Sequence, residues 1–242
     1  MGMEEHGRDE AAGRLHVRML GPLHLRRDDG APALPGSRKL RALFAYLALS
    51  PRAASRSQLC ELLWDAPADP RGELRWCLSK IRGLVDGAAR RRLITLGESV
   101  RLDLEDCEVD ALAVAQACAA GLEHLPAAEL RRLAALCGGE LLEDTPMDAA
   151  PLFDAWLTAQ RRRLRACHLA LLEHLACAAV GAEKLACLEK WREFAPFDER
   201  AHRALLAELT QSGRRREAEE HLAQTARLFE YEGLDARLLA SS

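Results

Sequence analysis

The chain has 242 residues, 49% of them hydrophobic and 29% charged, which fits a soluble globular protein of two domains at about 100–200 residues each. No apolar run approaches the ~18–20 residues that cross a bilayer, and the acidic, polar start from Met1 to Glu10 is unlike a secretory signal, so a membrane-spanning protein is excluded and a cytoplasmic one expected. The net charge of −3 conceals a division: residues 14–104 carry +8 and residues 105–242 carry −8, the footprint of a nucleic-acid module joined to a partner-facing one.

Residues 1–13 read as a disordered tail. Residues 16–20 and 23–26 alternate apolar and polar about Gly21-Pro22, predicting short strands around a turn. Ser37 stands where it can cap a helix over Arg38–Leu49, in which Leu40, Leu43, Phe44 and Leu47 recur at helical spacing before Ser50-Pro51 stops it. Ser55 caps a second helix reaching Trp64. After a turn at residues 65–69, a third helix runs over Pro70–Val85, with Pro70 suited to its first turn. Leu93–Leu96 and residues 100–104 alternate on either side of Gly97-Glu98-Ser99, which is a hairpin pattern. Three helices followed by a hairpin make residues 14–104 a winged helix-turn-helix domain.

Residues 105–242 read as helical throughout, with helices at 110–120, 126–137, 151–179, 183–194, 198–212 and 214–232 and a short one near 234–240. Paired helices of about a dozen residues with short turns resemble tetratricopeptide stacking, although the ~34-residue period is not clean. The expected fold is therefore mainly α with small β elements, a winged helix followed by an all-helical, tetratricopeptide-like domain.

The third helix carries the sharpest functional signal. Leu74, Cys77, Leu78, Ile81, Leu84 and Val85 fall in one stripe that must pack inward. The opposite side displays Arg75, Trp76 and Ser79, flanked by Arg71, Lys80 and Arg82, a basic face suited to the major groove of double-stranded DNA. Arg75 is the first candidate for reading a base, because a guanidinium bonds guanine O6 and N7 together. Trp76 suits a thymine methyl or sugar edge. Phosphate contacts are expected from Ser37, Arg38 and Lys39 at the first helix start and Ser55 and Arg56 at the second, where free amides and the helix dipole favour anions. Arg90, Arg91 and Arg92, with Arg101 on the wing, complete the basic surround.

Other chemistries find little support. There is no Gly-rich phosphate loop, nucleophile elbow or zinc-protease helix, and Gly138-Gly139 reads as a turn, so an enzyme is not expected. The eight cysteines include no Cys-x-x-Cys pair, and Cys77, Cys118, Cys137 and Cys177 sit among Leu and Ala at helical spacing, where a thiol packs as a small hydrophobe. His174 and Cys177 share a helix face, but two ligands do not close a zinc site, and neither metal nor cofactor is expected. Arg161, Arg162, Arg163 and Arg165 offer a basic cluster for an anionic effector or a protein partner, or simply surface salt bridges. Cys107 or Cys187 could serve a redox role if its thiol were exposed and acidic.

The segments Leu20-Gly21-Pro22-Leu23, Ser37-Arg38-Lys39-Leu40-Arg41-Ala42-Leu43-Phe44, Leu59-Cys60-Glu61-Leu62-Leu63-Trp64 and Leu74-Arg75 through Leu78-Ser79-Lys80-Ile81-Arg82 resemble an OmpR-type winged helix, and more specifically that of the Streptomyces antibiotic regulatory protein (SARP) family. Trp156 through Arg163-Leu164, Phe197-Asp198-Glu199-Arg200-Ala201-His202-Arg203 and Ser212-Gly213-Arg214-Arg215-Arg216-Glu217-Ala218 resemble the bacterial transcriptional activator domain that follows it. The resemblance covers about residues 15–240. It implies a transcription activator that binds promoter direct repeats, as a homodimer on tandem sites, and contacts RNA polymerase through its sigma subunit. Two departures stand out: the tyrosine usual near the hairpin tip is replaced around Ser99-Val100, and a late tyrosine is His221 here. An effector- or redox-responsive repressor on the same fold, or a protein-interaction scaffold anchored by Trp76, are the alternatives.

Overall fold

A computed structural model describes residues 14–28, 30, 36–64, 69–87, 90–145 and 150–234. The tail at 1–13, nearly all of the turn at 65–69 and the short helix near 234–240 lie outside these, apart from their edge residues. The architecture is mainly α with small sheets. Its packing divides the chain into two units: one comprises everything up to Ala113 together with Cys137–Arg162, the other Val114–Leu136 and everything from Arg163 onward. A single cut after residue 104 does not reproduce this grouping, for reasons visible in the first unit.

That unit opens with β1 (Leu15–Arg18) antiparallel to β2 (His24–Arg27), pairing Val17 with Leu25. Next come α1 (Arg38–Leu49), the two-residue strand β3 (Ala54–Ser55), α2 (Arg56–Leu63) and α3 (Pro70–Val85). The hairpin of β4 (Leu93–Leu96) and β5 (Ser99–Leu102) follows, with β3 on the other side of β5. Gly97 turns that hairpin at φ +57°, a left-handed conformation that a β-carbon resists. Leu40, Leu43, Phe44, Leu47, Leu59, Leu63, Leu74 and Ile81 are buried to within a few per cent and make the core of the helical triad. Each such side chain contributes on the order of 1.5–3 kcal/mol of transfer free energy.

Residues beyond 104 return to this unit. β6 (Glu108–Val109) lies parallel to β1, with His16 opposite Glu108 and Val17 opposite Val109. Immediately after it, Asp110 opens α4 (Asp110–Ala120), and its buried carboxylate accepts the amides of Met19 (2.9 Å), Leu20 (3.0 Å) and Ala111 (2.6 Å). Burial nevertheless pushes this carboxyl above its ordinary range, the three amide bonds opposing the shift. Further on, Gly21 N donates to Glu140 O (3.0 Å) and Leu142 N to Met19 O (2.9 Å), so the Gly138-Gly139 turn leads into a segment bonded to the N-terminal sheet. Tyr46 of α1 meets Trp156 at 5.1 Å between ring centroids, near the start of α6 (Pro151–Ala178).

The second unit holds the rest of α4, α5 (Ala127–Leu136), α6 from Arg163, α7 (Gly181–Phe194), α8 (Glu199–Gln211) and α9 (Arg215–Tyr231). The last three pack each on the next, around Leu188, Trp191, Leu205, Leu209 and Phe229. Asp198 caps α8 by accepting from Arg200 N (2.9 Å) and also holds the Trp191 indole (3.0 Å), fixing the α7–α8 turn. The predicted helix limits hold within two residues.

Candidate nucleic-acid interface

The local sequence of α3 explains both its rigidity and its orientation. Asp69 caps it by accepting from Gly72 N at 2.8 Å, and a β-carbon at Gly72 would stand 2.0 Å from the Asp69 carboxylate, so this glycine serves the cap. Leu74, Cys77, Leu78, Ile81 and Val85 are buried, and Leu84 is half-buried. Arg71, Arg75, Trp76, Ser79, Lys80 and Arg82 are all exposed, Trp76 by 48%. Lys80 Nζ lies 5.8 Å from the centre of the Trp76 ring, keeping a cation over the aromatic face. Among the described residues, Arg75 and Ser79 make no hydrogen bond or ion pair. Arg71 leans toward Ser57 Oγ (3.4 Å) and Glu98 (3.5 Å), and Arg82 toward Thr95 Oγ1 (3.4 Å).

The two flanking helix starts are built as expected. Ser37 Oγ accepts from Leu40 N (3.4 Å), and Ser55 and Gln58 exchange bonds in a capping box (3.1 and 2.9 Å). Both serine side chains are thus engaged in capping. Arg38 is exposed, whereas Lys39 is drawn to Glu73 (3.4 Å) and sits 5.4 Å over the Trp64 ring, tying α1 to α2 and α3. The amide of Arg56 donates to Glu98 O (2.8 Å), joining the start of α2 to the hairpin tip. Arg101 is exposed on β5, 3.7 Å from Asp103.

The arginine run does not act as one patch. Arg92 is only 4% exposed: its guanidinium donates to Val85 O (2.6 Å) and, through two nitrogens, to Asp106 (3.1 and 2.6 Å). The bond to Asp106 pushes Arg92 still higher and holds the Asp106 carboxyl below its usual range. Expecting Arg92 to contact phosphate is therefore wrong. It is an internal clamp on the end of α3, because its carboxylate partner lies 14 residues away, where no local pattern shows it. Arg90 is half-buried and bonded to Asp103 (3.0 Å). Arg91 alone of the three is exposed, and with Arg82, Leu93, Ile94 and Thr95 it lines a groove of about 550 Å³ between α3 and the hairpin.

Sequence reasoning missed two features. Arg27 of β2 donates to Leu84 O (2.8 Å) and Asp86 O (2.9 Å), so two arginines hold the carbonyl end of α3, where a cation also suits the helix dipole. Leu96, 76% exposed at the hairpin tip, was hidden by its place in an alternating strand.

Elsewhere several expectations change. Cys177 is exposed rather than packed in a core, and Cys118 and Cys137 are half-buried. Burial pushes the Cys107 thiol up to about 11 and raises Cys187, which removes the thiolate a redox role at either would need. Arg161 is taken up by Leu141 O (2.9 Å), Leu142 O (3.2 Å) and Glu140 (3.3 Å), and Arg165 by Phe194 O, so half of that cluster serves the protein's own carbonyls. Among the described residues no three His, Cys, Asp or Glu side chains converge on a metal position, and no helix is long and apolar enough to cross a membrane.

No family model matches the chain. It is 31% identical over 248 aligned positions to the regulatory protein AfsR of Streptomyces coelicolor (strain ATCC BAA-471 / A3(2) / M145), an alignment covering 95% of the chain and 24% of that protein. The chain thus spans about a quarter of the length of the curated relative it matches. Its fold is similar to that of Mycobacterium tuberculosis EmbR, solved in complex with a low-affinity phosphopeptide, with a TM-score of 0.72 and 24% identity over 94% of this chain and 64% of that one. The motifs that resemble the SARP family lie in both halves, in the same order along the sequence, and over almost its whole length the chain is similar to a regulatory protein.

Proposed function

We propose that the protein is a sequence-specific DNA-binding transcription regulator acting as an activator, with α3 in the major groove. The observation that carries this reading is the division of α3: a buried apolar stripe fixes the helix, while Arg75, Trp76, Ser79 and Lys80 stand outward, and among the described residues Arg75 and Ser79 make no hydrogen bond or ion pair. The helix starts at Ser37 and Ser55, with exposed Arg38 and the Arg91 side of the hairpin groove, supply phosphate contacts around it. Two copies occupy tandem promoter repeats, and a surface of the bound protein contacts RNA polymerase, through its sigma subunit. The likeness to a curated regulatory protein supports the regulatory class.

Gel-shift titration against promoter fragments, repeated across salt concentrations, tests the DNA step. Duplex binding should weaken linearly in log–log form, with a slope of about −0.9 per phosphate contacted. Footprinting should show paired protected repeats, and transcription with purified polymerase should rise on adding the protein. Absence of duplex binding at moderate salt refutes the reading. Binding with lowered transcription replaces activation by repression.

A further inference from the structure

We propose that Cys118 and Cys167, within the second unit, form a peroxide-oxidisable dithiol that closes to an intramolecular disulfide between α4 and α6. The two residues are 49 positions apart in sequence, yet Cys118 Sγ lies 3.7 Å from the Cys167 carbonyl oxygen, which brings its thiol beside that of Cys167. Both are half-buried, open to a small oxidant but not standing out in solvent. Arg163, one helical turn before Cys167, adds positive charge.

Together these place the reactive group. The Cys118 thiol beside it, helped by Arg163, holds the Cys167 thiol down at about 7, so near neutral pH it carries more thiolate than an ordinary cysteine. The other thiols whose acidity is visibly displaced, Cys60, Cys77, Cys107 and Cys187, are all displaced upward by burial. Cys167 is thus the attacking sulfur and Cys118 the resolving one. The thiolate attacks one oxygen of hydrogen peroxide, the O–O bond breaks, hydroxide leaves and takes up a proton as water, and Cys167 becomes a sulfenic acid. The Cys118 sulfur then attacks the sulfenic sulfur. An S–S bond forms, the S–O bond breaks, and the departing hydroxide leaves as water with the thiol proton. Two thiols lose two electrons and one peroxide is reduced to two waters.

The test treats the full chain with one equivalent of hydrogen peroxide at pH 7, then counts thiols in denaturant and maps peptides without reduction. The expected result is a fall from eight thiols to six, with the Cys118 and Cys167 peptides joined. Cys118→Ser should stall at a dimedone-trappable sulfenic acid on Cys167, and Cys167→Ser should slow peroxide consumption roughly tenfold or more. Should either variant fold poorly, the unaltered protein still decides the matter through iodoacetamide alkylation of Cys167, expected to rise with a midpoint near pH 7. Oxidation that begins at exposed Cys177, a bond joining other cysteines or two chains, or Cys167 alkylation that rises only above about pH 8.5, the ordinary thiol range, overturns the proposal.

Discussion

Replacing Arg92 by Met keeps the aliphatic length of the side chain and removes its charge, which makes it a direct probe of the clamp on α3. The change deletes one bond to Val85 O and two to Asp106. Bonds to charged groups contribute about 1.5–3 kcal/mol each, but the Asp106 side chain is 32% exposed and regains water when its partner leaves. The loss to the first unit should therefore be about 2–4 kcal/mol, at the lower end of what breaking a buried ion pair costs. That corresponds to a melting temperature lowered by roughly 5–15 °C for a protein of this size. Calorimetry or urea denaturation followed by circular dichroism reads it, and an Asp106→Asn partner variant should show non-additive coupling of roughly 0.5–3 kcal/mol. Below pH 4 the gap between wild type and variant should narrow, because Asp106 has its carboxyl depressed in the fold, and the stability it confers is present above the unfolded value and lost as pH falls through the folded one. A variant that melts like wild type but binds DNA weakly would refute this reasoning and return Arg92 to the DNA surface.

Trp76→Ala should leave stability within about 0.5 kcal/mol, since the ring is nearly half exposed, yet weaken duplex binding about fivefold or more as measured by fluorescence anisotropy. Unchanged binding, or a large drop in melting temperature, would count against an outward role. Acidification should weaken the second unit between about pH 6.5 and 4: burial, with His202 and Arg192 nearby, pushes His221 down to about 4, so the unfolded chain takes up a proton that the fold refuses. His202 Nε2 donates to Pro196 O (2.8 Å), leaving its Nδ1 to accept from His221 Nε2 (3.1 Å), a pairing that requires the His202 ring to be neutral. His221→Gln should flatten the pH dependence of the urea midpoint over that range, and an unaltered slope would contradict the assignment.

The winged helix was legible because its signals are local. The α3 stripe, the Ser37 and Ser55 caps, Pro70 at the first helical position and Gly97 at the hairpin turn each sit within a few residues of what they determine. What escaped depends on partners far along the chain. β6 is two residues long and exists only because β1 lies beside it, and Asp110 looks like an ordinary helix-starting acid until the amides of Met19 and Leu20 are brought to it. The run Arg90-Arg91-Arg92 reads as one basic patch, and only the placement of Asp103 and Asp106 separates a half-neutralised, an exposed and a buried member. The cysteines illustrate the same limit: helical spacing suggested cores for Cys177 and Cys118 alike, but one is exposed, and a neighbouring helix gives the other a backbone carbonyl partner at Cys167.

The central claim is that the outward face of α3 reads base pairs, and Arg75 tests it most directly. A duplex selected from a random library by the wild-type protein should bind Arg75→Ala about 5- to 150-fold more weakly, the equivalent of roughly 1–3 kcal/mol, with base preference relaxed at one position of each repeat. Selection that enriches no sequence, or an Arg75→Ala protein that keeps both affinity and base preference, would contradict the account.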